Sequence, residues 1–292
     1  MDIVGGLYQE LCETPTWDAV FGSGGRAAAA LTGVSPSIRL HTYVAPGPAT
    51  AAADALRCFG VRVEAFPRAA SIIFSYLHPL SNPHIEPPTV RIPQSPALRV
   101  TGEAVLRFGL LEGDAIVDAD RAVFDPQTAR RLASFRANGS RAGHLALVLN
   151  EGELRAVVQD GDLHSAARKV MADEQAEVLV LKRGVRGALV LEGETDPCPV
   201  PAYRSSTVFK IGTGDVFSAW FAYLWAERGI SAAEAADRAS RAVAAYAQSR
   251  TLPPPAVNLA ALVIGDRPGR SGSKAIRTPW ASGSFLKRRA TS

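Results

Sequence analysis

The stretch Val208-Phe209-Lys210-Ile211-Gly212-Thr213-Gly214-Asp215-Val216-Phe217-Ser218-Ala219-Trp220-Phe221 decides how this chain is read. Two glycines flank a threonine just ahead of an amphipathic segment. Val216, Trp220 and Leu224 form one i, i+4, i+8 stripe, and Phe217, Phe221 and Trp225 form its neighbour. A helix over residues 214–228 with a buried face is therefore expected. Its start is the unusual part. Glycine lets backbone N–H groups point into a shared concavity with no Cβ in the way. The first amides of a helix lack intrahelical acceptors, and the macrodipole adds partial positive charge there. The amides of Gly212, Thr213 and Gly214 are thus expected to hold a phosphate or a developing anion. Asp215 stands at that spot. Its ordinary role is a first-turn cap. Beside an anion hole it also has the chemistry that phosphoryl transfer to an alcohol needs, taking the hydroxyl proton while the amides stabilise the moving group.

Working outward, short apolar segments alternate with helical ones. Strands are expected at residues 2–8, 38–44, 61–66, 71–77, 115–118, 122–124, 145–149, 178–181 and 187–191, rich in Val, Ile and Leu. Helices are expected at 25–31, 48–59, 127–137, 163–172, 214–228 and 232–249. Such alternation predicts an α/β fold with a mostly parallel central sheet and helices on both faces. Ligands then bind at the carboxyl ends of the strands. Residues 66–105 break the rhythm. Seven prolines (67, 79, 83, 87, 88, 93 and 96) exclude helix, and the segment reads as a small β excursion or as a loop with edge strands.

The whole chain of 292 residues is 47% hydrophobic and 21% charged, with a net charge of +4. These values exclude a disordered chain, a collagen-like chain and a coiled-coil rod. Seven of the positive charges lie after Asp266, where no acid occurs, so the first 266 residues carry −3. A nucleic-acid partner would rest on that tail alone, and residues 267–292 are expected to be disordered. Cys12, Cys58 and Cys198 are odd in number and show no metal or redox spacing, which fits a reducing cytoplasm. The five histidines are scattered and form no metal-ligand pattern. No apolar run approaches the roughly 20 residues that span a bilayer, and no leader pattern opens the chain.

The segment Gly212-Thr213-Gly214-Asp215 with Phe217 resembles the Gly-Ala-Gly-Asp-x-Phe signature of the ribokinase/PfkB family of sugar and nucleoside kinases. Other landmarks follow in order over about residues 1–260. Gly22-Ser23-Gly24-Gly25 is similar to the family's N-terminal Gly-Gly motif. Phe124-Asp125-Pro126-Gln127 is similar to its Asp-Pro-Asn, Asn150-Glu151-Gly152-Glu153 to its Asn-x-x-Glu, and Lys182-Arg183-Gly184-Val185-Arg186-Gly187 to its Gly-x-x-Gly hairpin.

The resemblance implies a ribokinase-like three-layer sandwich over residues 1–266, with residues 66–105 as a β lid. It implies ATP and Mg²⁺, with Asp215 as general base and Gly212, Thr213 and Gly214 as anion hole. Lys182, Gly184, Gly187 and Lys210 would serve the nucleotide. Asn150 and Glu153 would serve the metal. Gly24, Gly25 and Asp125 would meet the acceptor, a small sugar-like or nucleoside-like molecule, and Tyr76, His78 or Asn82 of the lid could cover it. A homodimer through the lid is a further expectation. The chain also departs from the family. Phe209-Lys210-Ile211 replaces the Asp-Thr-Thr before the glycines, Ala29 replaces a substrate-contacting Asn, and the early acid has only Glu10 and Asp18 as stand-ins. A binding or regulatory protein derived from a kinase is therefore the alternative.

Overall fold

The structure, a computed structural model, describes residues 1–128, 132–157 and 162–255. In chain order come β1 (Asp2–Val4), β2 (Gln9–Cys12), β3 (Trp17–Val20), α1 (Gly22–Leu31), β4 (Ile38–Val44) and α2 (Pro48–Cys58). Next are β5 (Val61–Pro67), β6 (Ile73–Tyr76), β7 (His84–Glu86), β8 (Leu98–Phe108), β9 (Ala115–Asp125) and β10 (Arg141–Asn150). Then follow α3 (Glu151–Arg155), α4 (Leu163–Glu174), β11 (Val178–Lys182), β12 (Ala188–Glu192), β13 (Cys198–Val200), α5 (Thr213–Ala222) and α6 (Ala232–Ser249).

Nine strands form the large sheet in the order β13-β12-β11-β10-β9-β8-β1-β4-β5. Neighbours from β5 to β11 are parallel, and β12 and β13 close one edge as antiparallel strands. Parallel strands covered on both faces need near-continuous apolar runs, and the side chains alternate between two cores. Val123, Val148 and Val180 join the core that contains Ala27, Phe221 and Tyr246; Phe124, Leu149 and Leu181 join the one that contains Phe135 and Val170. Helices thus cover both faces, giving the three-layer α/β sandwich. Full burial of one such aliphatic side chain contributes about 1.5–3 kcal/mol, which makes the two-sided sheet the main stabilising element.

Helix α1 is buried along its whole length, which explains its run of small residues. A Cβ on Gly24 would stand 2.6 Å from the Gly5 carbonyl, and one on Gly25 would stand 2.5 Å from Leu7 Cδ1. The helix therefore packs directly on the chain that leaves β1.

A second sheet has the order β3-β2-β6-β7. Here the expected boundaries change. Half of this sheet comes from residues 9–20, which lay outside the expected excursion, while Leu98–Phe108 is a central strand of the large sheet. The expected pair 115–118 and 122–124 is one strand; its outer half alternates exposed Asp118 and Asp120 with buried Val117 and Ala119. The expected strand over 2–8 stops at Val4, ahead of Gly5 and Gly6.

The helix expected over 127–137 is absent from its described residues. Gln127 is left-handed (φ 51°), and Phe135 is anchored by other means. Its ring packs 5.6 Å from that of Phe124, its amide donates to Glu174, and its carbonyl accepts from Arg107. After α5 the backbone continues as a π-helical turn over Tyr223–Glu227, which leaves Trp220 half-buried. The basic tail at 267–292 lies outside the described residues.

Candidate active site

Strands β9, β10 and β11 end at Asp125, Asn150 and Lys182, the carboxyl edge at which open α/β sheets take ligands. Helix α5 begins beside them. Two cavities meet there. The larger, about 1150 Å³, is lined by Asp125, Asn150, Glu153, Lys182, Gly184, Gly187, Lys210 and Thr213, among others. The smaller, about 330 Å³, lies against the second sheet; Tyr8, Glu10, Ser23, Arg26, Phe74 and Asp215 are on its wall. Tyr76, Gln127, Thr128 and Gly214 line both.

Gly212 has a φ of 74°, the left-handed region that glycine tolerates. A Cβ there would also lie 2.0 Å from Arg26 Nε. The turn is thus shaped to admit a buried guanidinium. Thr213 closes it, with its amide and its Oγ1 both donating to the Lys210 carbonyl at 3.1 and 2.9 Å. The Thr213 amide, expected in the anion hole, is therefore already engaged. Phe209 and Ile211, which replace polar family residues, are buried. Phe209 packs on Trp17 (5.1 Å between centroids) and on Tyr246 (6.2 Å). Lys210 between them is exposed.

Asp215 Oδ2 accepts from Arg26 Nη1 at 3.0 Å, and Oδ1 accepts from Gln127 Nε2 at 2.7 Å. Burial pushes its carboxyl upward, Arg26 opposes that, and the nearby carboxylates of Glu10 and Asp125 add to it. Arg26 is 1% exposed. It forks onto Glu10 through both terminal nitrogens, and its Nε donates to the Tyr246 hydroxyl at 3.3 Å. Tyr246 donates in turn to the Ile211 carbonyl at 3.1 Å, tying α6 to the turn.

On the other side, Asp125 is fully buried. Its Oδ2 accepts from Lys182 Nζ and from Ser218 Oγ, each at 2.6 Å, and its Oδ1 has no partner among the described residues. Burial opposes the Lys182 charge, but Asp125 and Glu153 more than offset it and raise its pKa. Lys182 Nζ lies 3.7 Å from the point a Cβ on Gly214 would occupy. Asn150 and Glu153 form a reciprocal cap on α3: Asn150 Oδ1 accepts from the Glu153 amide at 3.0 Å, and Glu153 Oε2 from the Asn150 amide at 2.7 Å. Burial pushes Glu153 up to about 7, with Lys182 pulling against it.

Most expected site residues therefore converge. Asp125 stands on the wall of the large cavity, not the small one. Gly24 and Gly25 line neither, being spent on packing; Gly22, Ser23 and Arg26 take that place. His78 and Asn82 also lie outside both linings, and Tyr76 lies inside both. Arg26, Gln127 and Ser23 were not anticipated. Arg26 had a readable signal, a lone charge in a run of small residues.

The pfkB family carbohydrate kinase profile matches residues 140–254. A 2-dehydro-3-deoxygalactonokinase of Haloferax volcanii is 40% identical over 72 residues, 24% of this chain and 22% of that protein's length. The fold matches that of fructokinase from Vibrio cholerae with fructose, ADP and calcium bound: TM-score 0.62, 15% identity, 89% of this chain and 98% of that one. It also matches adenosine kinase from Sinorhizobium meliloti (0.60, 14%, 89% and 96%) and ribokinase from Thermotoga maritima (0.58, 16%, 90% and 95%). The profile match thus covers the C-terminal part of the chain, and the likeness to ribokinase-like folds extends over most of its length.

Proposed function

We propose that the protein transfers the terminal phosphoryl group of ATP to a hydroxyl of a small sugar-like or nucleoside-like acceptor. The observation that carries this reading is the meeting of two cavities at Gly214, next to Asp215 on the wall of the small one. The large one has the room and the groups for a nucleotide: Gly184 and Gly187 at the hairpin, Lys182 and Lys210 as cations, and the start of α5 as anion site. The small one holds the acceptor.

Asp215 Oδ1 exchanges the Gln127 amide for the acceptor hydroxyl and receives its proton as the new O–P bond forms and the bond to the leaving diphosphate breaks. Arg26 fixes the other oxygen. The Gly214 amide and Lys182 face the charge on the transferred group. Mg²⁺, when bound, would supply neutralising charge there. The partnerless Asp125 Oδ1 and the Glu153 carboxylate are the hard oxygens that suit it. A reducing cytoplasm accords with the three free cysteines. Among the described residues no helix is long and apolar enough to cross a membrane. The open edges of the second sheet suit a homodimer.

Asp215→Asn tests the reading. With ATP, Mg²⁺ and a pool of sugars and nucleosides, ADP release should fall by about 10²–10⁴ relative to wild type, while ATP binding stays within a few fold. Turnover that survives the change removes Asp215 as base. ATP binding with no ADP release by the wild type would favour the binding-protein alternative.

A further inference from the structure

The small cavity has an unusual charge arrangement. Its charged wall residues are Glu10, Arg26 and Asp215, two carboxylates and one guanidinium, so its net charge is negative. The guanidinium is 1% exposed, and four of its five N–H groups are engaged. Both terminal nitrogens are held by Glu10, one is shared with Asp215, and Nε is held by Tyr246. The ionic groups just behind the wall cancel as well: Arg68 pairs with Glu112 at 2.8 Å, and the Tyr8 hydroxyl donates to that same Glu112. Lys182 lines the large cavity and is bound to Asp125.

Neutral polar groups are treated differently. Ser23 is 6% exposed, lies on the wall, and its Oγ has no partner among the described residues. A buried hydroxyl without a partner is costly, and a ligand hydroxyl both donates to it and accepts from it. Phe74, Ile85 and Leu111 are also on the wall and offer apolar surface to C–H groups.

We infer that the small cavity takes a neutral polyhydroxy acceptor and rejects carboxylate- or phosphate-bearing ones, and that Glu10 sets this choice by occupying Arg26. The inference rests on the acceptor reading of that cavity. An anion entering it would face Asp215 with no free cation among the described wall residues in compensation, and a like charge in a desolvated site is strongly disfavoured. Removing the Glu10 charge frees the guanidinium fork, which matches carboxylate and phosphate geometry.

The test is calorimetric binding to the full chain, without ATP, of matched pairs: glucose with gluconate, fructose with fructose 6-phosphate, ribose with ribose 5-phosphate. At least one neutral member should bind about tenfold or more tightly than its charged partner. Glu10→Gln, checked for an intact fold by circular dichroism, should shrink or invert that ratio. Charged members binding as well as neutral ones would overturn the inference, as would no binding by any neutral member. An unchanged ratio in folded Glu10→Gln would remove Glu10 as its cause. Because ATP is left out, neutral-selective binding without ADP release would sink the kinase reading and leave this inference standing.

Discussion

The two cavities that meet at Gly214 are built on opposite principles. In the large one, the charged groups follow the strand ends: Asp125, Asn150 and Lys182 close β9, β10 and β11, and they are neighbours because the strands are. In the small one, Glu10, Arg26 and Asp215 come from the second sheet, α1 and α5, and they are neighbours only because three separate packings agree. The first arrangement follows from the topology of a parallel sheet. The second depends on particular side chains and on Gly212, which leaves room for the guanidinium. Changes in the small cavity should therefore act on acceptor chemistry, and changes in the large one on the donor.

The largest expected effect comes from Arg26→Met. It leaves Glu10, 5% exposed, as a buried charge without its partner, and breaking a buried pair in this way costs about 3–5 kcal/mol. Urea unfolding at neutral pH should show that loss, and Arg26→Lys should recover only part of it because the two-nitrogen fork is lost. If Arg26→Met is as stable as wild type and weakens only ATP binding, the contrast between the cavities fails. Lys182→Met should come next. It leaves the buried Asp125 without its cation and so also lowers stability; in the folded protein it should lower kcat/KM for ATP by about ten- to a hundredfold, with acceptor affinity unchanged. A matching loss on the acceptor side would show that the cavities are not separable.

Glu153 gives the smallest effect. Its folded pKa, pushed up to about 7, lies above the usual carboxylate range near 4.3. The folded state thus holds this proton more tightly than the unfolded state, and stability falls as pH rises from about 4 through 7. Glu153→Gln keeps an acceptor for the Asn150 amide and removes that titration. Without nucleotide or metal it should melt about 2–4 °C above wild type at pH 8, with the gap closing toward pH 4. A constant gap would mean that Glu153 titrates normally.

The same contrast explains what could be read in the chain. The large sheet was legible because strands buried on both faces are continuous apolar runs, and the landmarks of the large cavity sit next to those runs. Leu98–Phe108 was hidden by the prolines ahead of it and by its exposed outer half. The second sheet was obscure for a different reason. Gln9–Cys12 pairs in parallel with Ile73–Tyr76, more than sixty residues away, and nothing local announces that. The ion pair of Glu10 with Arg26 was equally silent, since neither residue alone specifies the other. The apolar replacement at Phe209 and Ile211 was visible as a departure. Its meaning came only from packing, where Phe209 fills the space between Trp17 and Tyr246.

The central claim is that a phosphoryl group crosses from the large cavity to a hydroxyl held in the small one at Asp215. Phosphorus NMR of the full chain with ATP, Mg²⁺ and a pool of neutral sugars and nucleosides tests it most directly. The account predicts a phosphomonoester resonance that grows in step with ADP. ATP that stays intact while bound, or that yields only ADP and inorganic phosphate, would contradict it.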